Sequence, residues 1–233
     1  MVGAIRVQEG GRAVPKIIQQ AFEAAGVRHL RLEAPAVPAD LVLRLQKYRD
    51  PARAPSALRE SAEVAAAEAS RLTSPRVAVW RGPVTAVDPG GAVTLAHAHH
   101  FHSRLLARLL ASSTEAYVAV LTLGEALEER VDELFKDHSA LEGLFLETAG
   151  WAAIVLLARR LRRQLMDEER AGGGSVTHRV APGYGDWPVD DQSALLGVFG
   201  DAPLPVTVTE SAWMLPRKSI SAVFGVVREE RHD

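Results

Sequence analysis

The sequence predicts an α+β fold, a twisted, mostly antiparallel sheet with long helices packed on it. Three observations carry this. Residues 116–123 form an almost wholly apolar run, the mark of a central strand buried on both faces. Residues 141–169 hold a stripe of Leu146, Gly150, Ala153, Leu157, Leu161 and Leu165 at helical spacing. Between two short β-rich segments, Asp88-Pro89-Gly90-Gly91 is a strong turn signal. Strands broken by long helices around one central apolar strand fit α+β layering.

The elements follow in order. Pro15, Ile17, Ile18, Ala21, Phe22 and Ala25 read as a short amphipathic helix with proline in its first turn and Gly26 past its end. A second helix follows Pro38 and carries Leu41, Leu45 and Tyr48. The Pro-rich stretch 50–55 is a loop, and Ser56 is the expected N-cap of a third helix ending at Leu72. Val77, Val79, Val84, Val87, Val93 and Leu95 place strands on either side of the 88–91 turn. A helix over 99–111 leads into the apolar strand, and Gly124 opens another over 125–135. Gly172-Gly173-Gly174 ends the long helix. A short helix over 188–199, with Asp190 and Asp191 near its positive end, and strands at 206–209 and 221–227 complete the chain. Residues 1–73 read as a helical N-terminal region and 74–233 as the main domain, in one continuous globule.

Composition narrows function. The 233 residues are 47% hydrophobic and 24% charged, ordinary for a folded protein, and the net charge of −2 gives no reason to expect nucleic acid. With no cysteine, the chain has no disulfide, thiolate zinc site, iron–sulfur cluster or cysteine nucleophile. Residues 1–12 lack the apolar core of a signal peptide, and the apolar stretch 143–158 contains Glu147 and falls short of a bilayer span of about 20 residues. A cytoplasmic protein that meets no membrane is the expectation.

Three polar clusters invite a functional reading. His97, His99, His100 and His102 have no carboxylate among them, and a helix would place His99 and His102 on one face without a third ligand, so a structural or solvated role is expected. Arg159, Arg160, Arg162 and Arg163 precede Asp167, Glu168 and Glu169; an Arg163–Asp167 pair fits a solvated helical face, the alternative being a dock for an acidic partner such as a flavoprotein. The segment Arg179-Val180-Ala181-Pro182-Gly183-Tyr184-Gly185-Asp186-Trp187-Pro188 gathers groups that one polar ligand uses. Arginine offers a fork for a carboxylate. Pro182-Gly183 lets backbone approach closely. Tyr184 and Trp187 stack on a heterocycle or face a cation such as a sulfonium, and Asp186 accepts from an amine or ribose. The same features also suit a rigid surface turn.

Arg179, Pro182, Gly183 and Tyr184 match the Arg-x-x-Pro-Gly-Tyr segment that holds S-adenosylmethionine in the activation domain of cobalamin-dependent methionine synthase. The extended Pro-Gly-Tyr-Gly-Asp-Trp-Pro form resembles the stand-alone relatives of that domain. A second block, Thr209-Glu210-Ser211-Ala212-Trp213-Met214-Leu215-Pro216-Arg217-Lys218-Ser219-Ile220-Ser221, resembles their Thr-Glu-Ser-x-x-Met-x-Pro-x-x-Ser-x-Ser signature. Weaker similarity reaches back through Leu121-Thr122-Leu123-Gly124, Leu127-Glu128 and Ala149-Gly150, so the resemblance spans about 75–227 and matches the first seventy residues poorly.

The resemblance implies a repair function. Cob(I)alamin of such methyltransferases occasionally loses an electron, and methyl transfer from S-adenosylmethionine makes reduction of the inactive cob(II)alamin irreversible. Such a protein catalyses by positioning, and the corrinoid, carried by a partner methyltransferase such as the methionine synthase core, is the chemical centre. Flavodoxin or another reductant supplies the electron. By the same resemblance Arg179 meets the methionine carboxylate, Ala181, Pro182 and Gly183 border the adenosine, and Tyr184 lies near the sulfonium or adenine. Asp186 is a further contact, and Glu210 and Ser211 either touch the ligand or fix the loop. Met214, Ile220 and Val223 are read as core, and Arg217 and Lys218 either meet the corrinoid's tail or form a solvated turn. Two features depart from the family. Its acidic residue on the long helix is replaced by Ile154, Val155, Leu156 and Leu157, leaving Asp186 or Glu147 to substitute, and the tyrosine-bearing insertion of full-length synthases is missing. The competing expectation is a non-catalytic scaffold or chaperone of a corrinoid protein with a degenerate pocket. A conventional small-molecule methyltransferase is disfavoured, since no glycine-rich strand–helix loop is present.

Overall fold

The computed structural model describes residues 26–228 and two short strands before them, β1 (Gln8–Glu9) and β2 (Arg12–Ala13). The helix expected after Pro15 lies outside the described residues.

One seven-stranded sheet, antiparallel at every pairing, organises the chain. At its centre β4 (Arg76–Val87), β7 (Glu115–Thr122) and β11 (Ser219–Arg228) lie side by side, β7 in the middle. Beyond β4 come β5 (Ala92–Leu95) and β6 (His99–His102), while β3 (Val27–Leu30) pairs with the start of β4 and β8 (Gly174–Val176) with the end of β11. A register shift between Val84 and Ala86 bends β4 toward the hairpin.

The alternation of side chains divides the core in two. Val77 and Val79, Tyr117, Ala119 and Leu121, and Ala222 and Phe224 point to one face; Ala78 and Trp80, Ala116, Val118 and Val120, and Val223 point to the other. Both faces are covered, which is why β7 is apolar throughout rather than alternating.

The first face packs against α1 (Ala39–Leu45), α2 (Ser56–Leu72), α4 (Ala126–Lys136) and α5 (Ala140–Arg170). Ala62, Ala65, Ala66 and Ala69 give α2 a buried stripe of small residues that allows a close approach. Every residue of the stripe expected on α5 is buried. The second face packs against α3 (Arg104–Leu110), the 179–188 segment and α6 (Gln192–Leu196). Elements before residue 73 share the first core with those after it, and they include β3 as well as helices.

Several expectations shift. Pro55, not Ser56, holds the N-cap position of α2, with no side-chain cap. The helix expected over 99–111 begins only at Arg104. Residues 99–102 pair with Ala92–Leu95 as a strand that buries Phe101, and Ser103 then caps α3, its Oγ accepting from the Leu106 amide at 3.1 Å. The 188–199 helix is split into two 3-10 turns flanking α6. The strand expected at 206–209 is β9 (Thr207–Val208), paired with β10 (Met214–Leu215). Helix α5, at 31 residues, exceeds the apolar stretch read from sequence and contains an 18-residue window of mean hydropathy 1.6, long and apolar enough to cross a bilayer; half of that window is buried inside the fold.

Candidate functional site

The 179–188 segment leaves β8 and is tied to the sheet through Val180, whose amide donates to the Val223 carbonyl at 3.1 Å and whose carbonyl accepts from the Val223 amide at 2.7 Å. It then folds on itself. The Gly183 amide donates to the Trp187 carbonyl at 2.8 Å, and the Tyr184 amide to the Ala181 carbonyl at 3.1 Å. This path needs left-handed backbone at Gly183 (φ 89°) and Gly185 (φ 58°), which explains glycine at both positions. The Arg179 guanidinium lies over the Tyr184 ring, 5.6 Å from its centroid.

Two side chains anchor the segment. Trp187 is 1% exposed, meets Phe101 edge-on at 5.7 Å, and donates its indole N–H to Asp191 at 2.9 Å. Asp186 closes the start of α3. Its carboxylate accepts from the Leu105 amide at 3.1 Å, the Ser103 hydroxyl at 2.8 Å and the Arg104 amide at 2.9 Å, and these bonds hold its pKa well below the usual carboxylate range.

The second block forms the turn and second strand of the β9–β10 hairpin and runs on into β11. The Thr209 amide donates to the Trp213 carbonyl at 2.8 Å, and Ala212 turns the chain at φ 61°. The two blocks face each other across a cleft of about 680 Å³, within the ~300–1,000 Å³ of small-molecule sites. Pro182 lines it from the first block, with Val189 of the 3-10 turn that follows, and Ser211, Trp213 and Met214 line it from the second. Phe135 of α4 and Trp151 of α5 add aromatic surface, and Trp151, Val189 and Trp213 are more than half exposed at its rim.

The charges in the cleft come in pairs. Arg217 meets Asp132 at 2.7 Å and its backbone amide donates to Glu128 at 2.6 Å, so the guanidinium pKa rises. Lys218, 4% exposed, places Nζ 2.5 Å from Glu147 Oε1 and 5.4 Å from the Trp151 ring centroid. Gln192, also buried against the cleft, accepts from the Ser221 hydroxyl at 3.0 Å, and its amide nitrogen has no partner among the described residues.

The residues expected from sequence divide accordingly. Pro182 and Ser211 line the cleft. Ala181 is buried in the turn, Arg179 and Tyr184 stack beside it, and Glu210 is exposed in the hairpin turn. Trp187 is a core anchor rather than a stacking surface, and Asp186 is committed to α3. Lys218 is buried and ion-paired within the cleft, while Arg217 is ion-paired but exposed. Val223 is buried, while Ile220 and Met214 pack half-buried against the cores. Ile154 and Leu157 lie in the core, which leaves Glu147 as the α5 acid facing the cleft. Trp151 escaped the sequence reading, although its place four residues after Glu147 puts both on one helical face. Elsewhere, Arg162 donates to the carbonyls of Val176 and Thr177, Arg160 meets Glu33 at 2.7 Å, and Asp167 pairs with Arg170 at 3.7 Å. His99 and His102 share no helical face, and among the described residues no three His, Asp or Glu side chains form a metal-holding group.

No family model and no curated protein sequence matches this chain. Among solved structures that match is a crystal structure of the MetH reactivation domain bound to AdoHcy, 14% identical, with a TM-score of 0.59. The match covers 80% of that chain and 89% of this one, so it extends well before residue 74. The chain therefore shares the fold of the MetH reactivation domain.

Proposed function

We propose that this chain binds S-adenosylmethionine and supports reductive methylation of cob(II)alamin in a partner corrinoid methyltransferase such as methionine synthase, with flavodoxin or another reductant as electron donor. One observation carries the reading. Pro182 of the first block that resembles the activation domain and Ser211, Trp213 and Met214 of the second line one cleft, in a fold shared with a reactivation domain crystallised with AdoHcy. The partner's corrinoid supplies the electron-rich centre that takes the methyl group.

The chain's own work is placement. Arg179 offers its fork to the methionine carboxylate, and stacking on Tyr184 holds the guanidinium plane in place before the ligand arrives. Backbone at Ala181, Pro182 and Gly183 borders the adenosine, and Ser211 faces it from the hairpin, with Glu210 next in chain. The aromatic lining excludes water around the sulfonium and leaves the rim open for a partner to approach. No general acid, base or nucleophile is required of the protein.

Calorimetry with S-adenosylmethionine tests this. Binding weakened about 10- to 150-fold in Arg179→Ala is expected, the worth of a lost charged hydrogen bond of ~1.5–3 kcal/mol. Adding the chain to a cob(II)alamin-trapped synthase with reductant and S-adenosylmethionine should restore turnover. Absence of both binding and rescue would refute the proposal. One observation favours a second reading, a scaffold for a corrinoid protein: the acid facing the cleft from α5 already carries Lys218. Tight corrinoid-domain binding without S-adenosylmethionine or S-adenosylhomocysteine binding would select it.

A further inference from the structure

We infer that Lys218 is a built-in cation that fills the cleft's own cation subsite, formed by the Glu147 carboxylate and the face of Trp151, and thereby sets how the cleft discriminates a sulfonium from a neutral thioether. The ligand class comes from the proposed function above; the subsite itself stands on geometry alone.

The subsite is built from α5 outward. Glu147 and Trp151 are four residues apart and project from one face of the helix, and Gly150 lies between them. A Cβ on Gly150 would stand 3.0 Å from Lys218 Cε and 2.8 Å from Leu127 Cδ2. The missing side chain is therefore what lets the Lys218 stem lie across the helix. The ammonium then reaches both the carboxylate and the indole, an acid and an aromatic face together, which is the usual surrounding of a bound organic cation.

Three features make this more than a structural ion pair. Lys218, Glu147 and Trp151 all line the same cleft as Pro182 and Ser211. Lys218 is 4% exposed, but the Glu147 side chain is 33% and Trp151 52% exposed, so the two halves of the subsite are open to an incoming group. The other acid lining the cleft, Asp132, is held by Arg217, and Asp186 is engaged on α3. A ligand with an ammonium and a sulfonium thus meets a cleft in which each lining acid already bears a cation.

Either the ligand displaces the flexible lysine or it binds against its charge. In both cases the extra positive charge of S-adenosylmethionine is penalised relative to S-adenosylhomocysteine, and Lys218 is the group responsible. It is a specificity-determining residue that holds the resting cleft to its neutral form.

The test uses Lys218→Met, which keeps the length of the stem and removes the charge, and Glu147→Gln, which does the reverse. Calorimetry should show affinity for S-adenosylmethionine relative to S-adenosylhomocysteine rising about tenfold in Lys218→Met. In Glu147→Gln the ratio should fall, and this arm decides the matter should the lysine variant not fold. A ratio unchanged in whichever of the two variants fold overturns the inference while leaving S-adenosylmethionine binding, and with it the proposed function, intact. Tetramethylammonium, read by tryptophan fluorescence, probes the subsite without reference to either ligand. It should bind Lys218→Met but neither the wild type nor Lys218→Met/Glu147→Gln, which keeps the Trp151 reporter and removes the acid. If no variant binds the adenosyl ligands, the proposed function fails and tetramethylammonium alone decides: binding confined to Lys218→Met supports the inference, and no binding overturns it.

Discussion

Trp187 and Trp213 sit in the two blocks that face the cleft, and the structure assigns them opposite work. Trp187 is 1% exposed and fixes the 179–188 segment to the second core; Trp213 is 71% exposed at the cleft rim. Truncating a buried tryptophan costs about 3–5 kcal/mol, and Asp191 loses its indole donor for about 1 kcal/mol more. A chain of 233 residues shifts its Tm by about 2–4 °C per kcal/mol, so Trp187→Ala should melt about 8–24 °C lower. Trp213→Ala, a surface change of about ±0.5 kcal/mol, should stay within about 2 °C of the wild type. Differential scanning calorimetry on the two variants reads this directly. Equal shifts, or a fall below about 3 °C for Trp187→Ala, would refute the assignment of Trp187 as the anchor and return it to the ligand side of the segment.

Two further perturbations probe the supports of the site and the opposite end of the sheet. Asp186 has a lowered pKa, so the stability it contributes is present above the unfolded carboxylate value of about 4 and is lost as pH falls below it. Asp186→Asn should therefore lower Tm at pH 7, and the gap to the wild type should narrow in acid; a gap independent of pH would sink the account. Glu169, 5% exposed, accepts from the Tyr117 hydroxyl at 2.5 Å and meets Arg81 at 3.2 Å, while Arg81 keeps Glu115 at 2.9 Å. Glu169→Gln should cost about 1–3 kcal/mol, read as a fall in Tm of about 2–12 °C, and an unchanged Tm would show that the pair contributes nothing net.

The fold was legible where a pattern had one physical cause. The run at 116–123 has no polar alternation because two separate cores need both faces of β7, and the α5 stripe is buried along its length. It was not legible where a distant partner decides. His99–His102 is a strand because Ala92–Leu95 offers it a ladder and a place for Phe101, so the helix expected from residue 99 starts five residues later, at Arg104. The strands β3 and β8 are short edge pieces whose identity comes from β4 and β11, not from their own residues.

The site shows the same division more sharply. The two motif blocks were legible because each is local, the first shaped by Pro182, Gly183 and Gly185 and the second by Pro216, and one residue of the first and several of the second line the cleft. Local pattern could not allocate the polar side chains within it. Asp186 and Glu147 were interchangeable acids in the sequence, yet the partner of one lies 82 residues away at the start of α3 and the partner of the other 71 residues away at the start of β11. A partly exposed carboxylate is assigned by whichever donors the fold delivers to it. For Asp186 the donors are the Ser103 hydroxyl and two backbone amides of the first turn of α3 with no other partner in the helix, which fixes it as structure. For Glu147 the donor is a flexible lysine on an aromatic face at the edge of a cleft, an arrangement a ligand can contest. The first acid is therefore read by melting the protein and the second by binding to it.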